Sequence, residues 1–205
     1  MKILSVLSQK GGAGKTTLSV HLAVAAEQKK KSTVLIDLDP QITATEWAES
    51  REAETPIVVS CQAKLLDKYL KTAEENGADL AIIDTAPHSE RDALAAARAA
   101  DYVLIPCRPE IFDLRAITHT IDMVRLTRIP AGVVLNAAPY RGRMPEDAAE
   151  VVEELGMPLA PVTVVQRAAY RNALPLGLTV LEYEPKGKAA DEIWTLHRWV
   201  TKQLQ

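Results

Sequence analysis

Gln9-Lys10-Gly11-Gly12-Ala13-Gly14-Lys15-Thr16-Thr17 stands between a short apolar run, Ile3 to Leu7, and a helical pattern that opens at Thr16. A strand that feeds a glycine-rich loop and then a helix forms a phosphate cradle. Glycines let backbone N–H groups turn inward around an anion without Cβ clashes, and the helix N-terminus adds partial positive charge. In such a loop Gly11, Gly12, Ala13 and Gly14 surround the anion, and Lys15 reaches the β- and γ-phosphates. The Thr16 hydroxyl faces Mg²⁺, and Thr17 is placed for a more distal phosphate oxygen.

Outward from this loop, short apolar runs alternate with helical patterns. The runs are Ile3 to Leu7, Thr33 to Leu38, Ile57 to Ser60, Leu80 to Ile83, Tyr102 to Pro106 and Gly132 to Leu135. Most are rich in Val, Ile and Leu with little polar alternation, as in strands covered on both faces. Helices are expected at 16–28, 42–51, 63–76, 90–99, 114–125 and 146–155, and a final one at about 187–204. In the first, Leu18, Leu22, Ala25 and Ala26 share a face; in the last, Ala190, Ile193, Trp194, His197, Val200 and Leu204 do. The expected fold is α/β, a mostly parallel twisted sheet flanked by helices on both faces. With 205 residues and no Pro/Gly/Ser linker, residues 1–205 read as one domain.

Two further strands end in carboxylates. Val34-Leu35-Ile36-Asp37-Leu38-Asp39-Pro40-Gln41 delivers Asp37 and Asp39 to the C-terminal edge of the sheet, where ligands bind in open α/β folds. There Asp39 can orient an attacking water, and Asp37 can hold the Mg²⁺ hydration shell or Asp39 itself. From D-x-D alone, a pair of helix-capping acids before Ile42 is an equal reading. Leu80-Ala81-Ile82-Ile83-Asp84-Thr85-Ala86-Pro87 presents Asp84 to Mg²⁺ in the same way. His88, next in sequence, reads as a surface histidine without a catalytic role. Asn136 ends the run 132–135, and its amide offers a donor and an acceptor to a purine edge; a turn-forming Asn is the plain alternative.

The general phosphate-loop pattern G-x-x-x-x-G-K-[ST] asks for glycine at position 9, which is Gln9 here, and a second lysine, Lys10, stands at the loop entrance. In this the chain resembles the ParA/MinD group of deviant Walker A P-loop ATPases, and most of all the short ParA-type partition ATPases. The resemblance implies that Lys10 reaches across an ATP sandwich homodimer to the partner's nucleotide. It further implies that D-x-D-P-Q is the first switch, with Asp39 catalytic, that D-T-A-P is the second, and that Asn136 contacts adenine. Arg167, Tyr170, Arg171, Gly177 and the terminal helix follow the general run of the short subtype.

The expected function is a cytoplasmic, nucleoid-associated ATPase using ATP and Mg²⁺. It would bind DNA without sequence preference, and a small partner protein of the ParB type would stimulate its slow hydrolysis. Its output would be plasmid or chromosome partition, or alternatively the positioning of a protein organelle or receptor cluster.

Composition removes other classes. Cys61 and Cys107 form no C-x-x-C pair, which disfavours a disulfide framework, the usual zinc spacings and an iron–sulfur carrier. The net charge of -3 disfavours a strongly basic nucleic-acid binder. Residues 166–205, however, hold six basic side chains (Arg167, Arg171, Lys186, Lys188, Arg198, Lys202) against four acidic ones, and a two-fold dimer can double that surplus on one face. Trp199 falls off the apolar stripe, where DNA, a partner or another core layer can meet it. A MinD-like membrane helix needs a basic amphipathic C-terminus, and Asp191 and Glu192 argue against one.

Overall fold

The computed structural model describes residues 1–87 and 89–205; His88 lies outside them. Six parallel strands form one sheet: β1 (Lys2–Val6), β2 (Thr33–Asp37), β3 (Ile57–Ser60), β4 (Leu80–Asp84), β5 (Tyr102–Cys107) and β6 (Ala131–Leu135), in the order β3-β2-β4-β1-β5-β6. The helices are α1 (Lys15–Gln28), α2 (Thr43–Glu49), α3 (Leu66–Glu75), α4 (Glu90–Ala99), α5 (Ile111–Arg125), α6 (Met144–Glu154), α7 (Ala168–Ala173), α8 (Val180–Tyr183) and α9 (Lys188–Gln203). The α/β expectation holds.

Side-chain alternation along the strands sorts two apolar layers. Leu4, Val6, Leu35, Ile82, Tyr102 and Leu104 pack with α1, α2 and α7–α9. Val103 and Ile105 pack with α4–α6, and Ile36, Ala81 and Ile83 with α3 and α4. Both faces are covered, as the strands' composition requires. β3 departs from the expectation: it is an edge strand, and Ile57 is exposed.

α1 departs as well. It is buried nearly all round, from Leu18 through Ala26, rather than along one stripe. Its small alanines let the sheet, α2, α8 and α9 all approach it. On α9 the buried set is Ala189, Ala190, Ile193, Leu196 and Val200. Trp199 belongs to a core layer: it packs on the same cluster and meets Tyr102 edge-on at 5.9 Å.

α7 and α8 have no counterpart in the sequence reading. Both are shorter than two turns, too short for a periodic signal, and tertiary contacts hold them. Thr179 and Glu182 form a capping box on α8, and Arg51 grips Glu182 through both guanidinium nitrogens.

His21, fully buried in α1, closes this region. Its Nδ1–H donates to the Thr17 carbonyl at 2.6 Å, and its Nε2 accepts the Val180 N–H at 3.1 Å. The bond accepted by Nε2 requires the neutral ring, and burial pushes its pKa down to about 4 against the Thr17 bond. The unfolded chain takes up this proton near pH 6.5, so the stabilisation is fully present above 6.5 and is lost as pH falls toward 4. His21 should contribute a loss of about 2 kcal/mol between pH 7 and pH 5, beside a loss from His197, whose pKa burial also lowers to about 4, and an opposing gain from Asp84. Urea unfolding of His21→Gln should lack the His21 part of that slope. A slope equal to wild type would assign the effect to another group.

Candidate nucleotide site

The C-terminal ends of β1, β2, β4, β5 and β6 bring the motifs to one edge of the sheet. β1 is paired with β4 through Val6 and Asp84, and β2 with β4 through Asp37 and Asp84, so the two carboxylates stand side by side on one side of the loop that leaves β1.

Within that loop Gly12 and Gly14 have φ of 74° and 88°. A Cβ at Gly14 would stand 2.1 Å from Nδ2 of Asn136, so glycine is required there by space as well as by backbone. Gln9 keeps a negative φ, so the missing glycine leaves the loop unstrained. Its backbone N–H instead donates to Thr120 Oγ1, and its amide reaches Met123 Sδ, tying the loop entrance to α5.

Lys15 is buried, with Nζ 3.4 Å from the Lys10 carbonyl. Burial lowers its pKa, while Asp84 and Asp39 pull it upward. Thr16 Oγ1 donates to Asp84 Oδ2 at 2.6 Å, and Ser19 Oγ lies 3.2 Å from the other oxygen. Burial raises the Asp84 pKa to about 7, against the Thr16 bond. A hydroxyl beside a carboxylate at a phosphate loop fits Mg²⁺, which keeps most of its waters and binds through one or two protein oxygens plus phosphates. Among the described residues no cluster of three His, Cys, Asp or Glu forms an all-protein cage.

Asp37 is placed differently from a metal ligand. One of its oxygens accepts the N–H of Asp39 at 2.9 Å, and the other those of Ala44 and Thr45 at 3.1 and 3.4 Å. Burial still raises its pKa. With three backbone bonds its carboxylate staples the turn after β2 to the start of α2. Of the roles expected for it, holding Asp39 has a direct bond, and so does capping the helix that follows. Asp39 itself is half-buried, and its side chain accepts the Gln41 N–H at 3.0 Å.

Asn136 donates from Nδ2 to the Ala13 carbonyl at 2.7 Å, so the amide pins the phosphate loop. It also lines a cavity of about 290 Å³ with Gly12, Gly14, Thr17, Arg108 and Tyr170, on the side of the loop where a nucleoside can lie. Lys10 is half-buried at the loop entrance, and Gly11 is exposed beside it. Arg108 was not legible as a site residue: a lone Arg after a strand carries no spacing signal.

The six C-terminal basic residues do not form one patch. Arg198 and Lys202 line a cleft with Lys2, Lys29, Lys31 and Leu80, at the opposite edge of the sheet, where β1 and β4 begin. Within one subunit they are divided: Arg167 and Arg171 line the cavity beside the loop, and Arg198 and Lys202 the cleft at the other end of the strands. Arg167 is held by Glu192 and lies over the Tyr140 ring. Arg171, Lys186 and Lys188 are exposed.

Comparison with known proteins agrees with this geometry. Residues 4–179 match the CobQ/CobB/MinD/ParA nucleotide binding domain. The chain is 32% identical over 201 residues to the "Maintenance of carboxysome distribution protein A" of Halothiobacillus neapolitanus, covering 93% of this chain and 92% of that protein. It is 30% identical over 211 residues to the protein of the same name from Gloeobacter kilaueensis, covering 99% and 94%. The solved structure of the Pyrococcus furiosus cell division ATPase MinD superposes with a TM-score of 0.82 at 22% identity, covering 98% of each chain.

Proposed function

The chain belongs to the CobQ/CobB/MinD/ParA nucleotide-binding family as a ParA/MinD-type P-loop ATPase, and on that premise we propose that it is a positioning ATPase that dimerises on ATP and Mg²⁺ and binds DNA without sequence preference. The observation that carries this reading is the convergence of Lys10, Lys15, Thr16, Asp39 and Asp84 on one sheet edge. Lys15 holds the β/γ-phosphates, Thr16 and Asp84 hold the Mg²⁺ shell, and Asp39, fixed by Asp37, orients the attacking water. The metal supplies charge neutralisation on the phosphates. Asn136 holds the loop and faces the base.

Exposed apolar residues support a dimer through the same edge. Ile111 and Phe112 follow β5, and Tyr140 and Met144 follow β6, all among the exposed large apolar side chains. Closing two such edges together covers them and brings Lys10 to the partner's nucleotide. We assign the DNA contacts to Arg171, Lys186 and Lys188.

The cargo is a protein assembly on this reading, because two relatives of 30% and 32% identity that match over more than nine-tenths of this chain are named for carboxysome distribution. Plasmid or chromosome partition is the reading at the level of the family. Either use places the protein on the nucleoid, with a small partner protein that stimulates slow hydrolysis, and residues 1–205 act as one domain. A membrane role is disfavoured because the apolar stripe of α9 is buried in the core. No helix among the described residues is long and apolar enough to cross a membrane.

Lys10→Ala tests the proposal. It should leave ADP binding within about twofold, since its target lies across the dimer, and abolish ATP-dependent dimerisation in light scattering. A variant that dimerises and turns over like wild type would overturn it.

A further inference from the structure

Arg108 leaves the end of β5 and lays its guanidinium against the phosphate loop. A Cβ built on Gly12 would stand 3.4 Å from its Nη2, so the guanidinium occupies the space beside the loop at Gly12. Its Nε is buried and finds no hydrogen-bond partner among the described residues. Among the described residues, no carboxylate forms an ion pair with it. A buried donor without an acceptor is costly, and the more so on a charged group. The neighbouring cation in the same cavity, Arg167, is by contrast neutralised by Glu192.

The missing acceptor is indicated by what shares the cavity. Arg108, Gly12, Gly14, Thr17 and Asn136 line one space of about 290 Å³. The backbone fixes this meeting: Asn136 N–H donates to the Cys107 carbonyl at 2.8 Å, so the ends of β5 and β6 are locked side by side. Asn136 then covers the loop at Gly14, and Arg108 covers it at Gly12. A guanidinium offers five N–H donors in a fork suited to phosphate and hydroxyl oxygens. Lys15 and the Thr16–Asp84 pair take the β/γ side of the loop, which leaves Arg108 the side of Thr17 and Asn136.

We propose that Arg108 is a further nucleotide-binding residue, donating within its own subunit to the α-phosphate and ribose oxygens of the bound nucleotide. This rests on the ATPase reading above. Because that part of the ligand is common to ATP and ADP, Arg108 strengthens both alike, and it acts in the monomer. Lys10, by contrast, reads the partner's nucleotide.

The experiment is titration of wild type, Arg108→Gln and Arg108→Lys with fluorescent ATP and ADP analogues, with melting temperatures measured on the same samples. Arg108→Gln should bind both nucleotides about tenfold more weakly, with a melting temperature without nucleotide no lower than that of wild type. Arg108→Lys should recover part of the loss. Equal affinities in wild type and Arg108→Gln would overturn the proposal, and so would a loss confined to ATP, which would place Arg108 on the γ-phosphate or at the dimer contact. A lowered ligand-free melting temperature with the affinity of the folded fraction unchanged would make Arg108 a structural cover and also overturn it. Failure of the wild type to bind either nucleotide would instead sink the ATPase reading itself.

Discussion

Lys15→Ala is expected to weaken ATP and ADP binding at least about a hundredfold, equivalent to about 2.7 kcal/mol. Lys15 is buried at the head of α1, between the loop and the carboxylates of Asp84 and Asp39, both of which raise its pKa against burial. Its removal deletes a charge-assisted contact to the phosphates. It also leaves Asp84 and Asp39 facing an incoming polyanion without a counter-charge, so the loss exceeds that of one hydrogen bond. Isothermal calorimetry measures it, and affinity within tenfold of wild type would refute the phosphate-loop assignment. The fold should survive, because among the described residues the Lys15 side chain makes only one long hydrogen bond, to the Lys10 carbonyl.

Asp39→Ala should separate binding from chemistry. The variant is expected to bind ATP and dimerise normally, but to hydrolyse it roughly 10² to 10³ times more slowly. Among the described residues the Asp39 side chain accepts only the Gln41 N–H, so it is free to turn toward a water. Removing it raises the chemical barrier and leaves the phosphate cradle intact. The ATP-bound dimer should accumulate on DNA, read by gel retardation, with phosphate release as the second measurement. Turnover at the wild-type rate would exclude Asp39. Asp37 would be a weak replacement, because its two oxygens already hold three backbone N–H groups. Asp37→Ala should instead loosen the first switch and lower the melting temperature.

Much of this molecule was determined by the sequence alone. Apolar runs of β-branched residues spaced by helical patterns dictate a parallel sheet, because only burial on both faces suits such strands. The order strand, glycine loop, Lys15, Thr16 dictates the phosphate cradle, because each residue acts through its immediate neighbours. Lys15, Asp39 and Asp84 were legible for that reason: a buried strand ending in a carboxylate has one sheet edge to deliver it to. Other features needed the tertiary structure. That α1 is buried on every side depends on α8 and α9, which arrive more than 150 residues later. α8 exists through the Arg51–Glu182 and His21–Val180 contacts, and α7 through Tyr170, which packs on the His21 ring and donates to the Ala189 carbonyl, across separations that no local period encodes. The role of Asp37 as a staple depended on where the N–H groups of α2 came to lie. Arg198 and Lys202 were separated from Arg171 by the length of α9, which runs from the nucleotide edge to the opposite one. Arg108 meets Gly12 because β5 is hydrogen-bonded to β1, so two positions nearly a hundred residues apart become neighbours. Covalent order fixes what a residue does with those beside it in the chain; which distant group completes a site is fixed by strand pairing and packing.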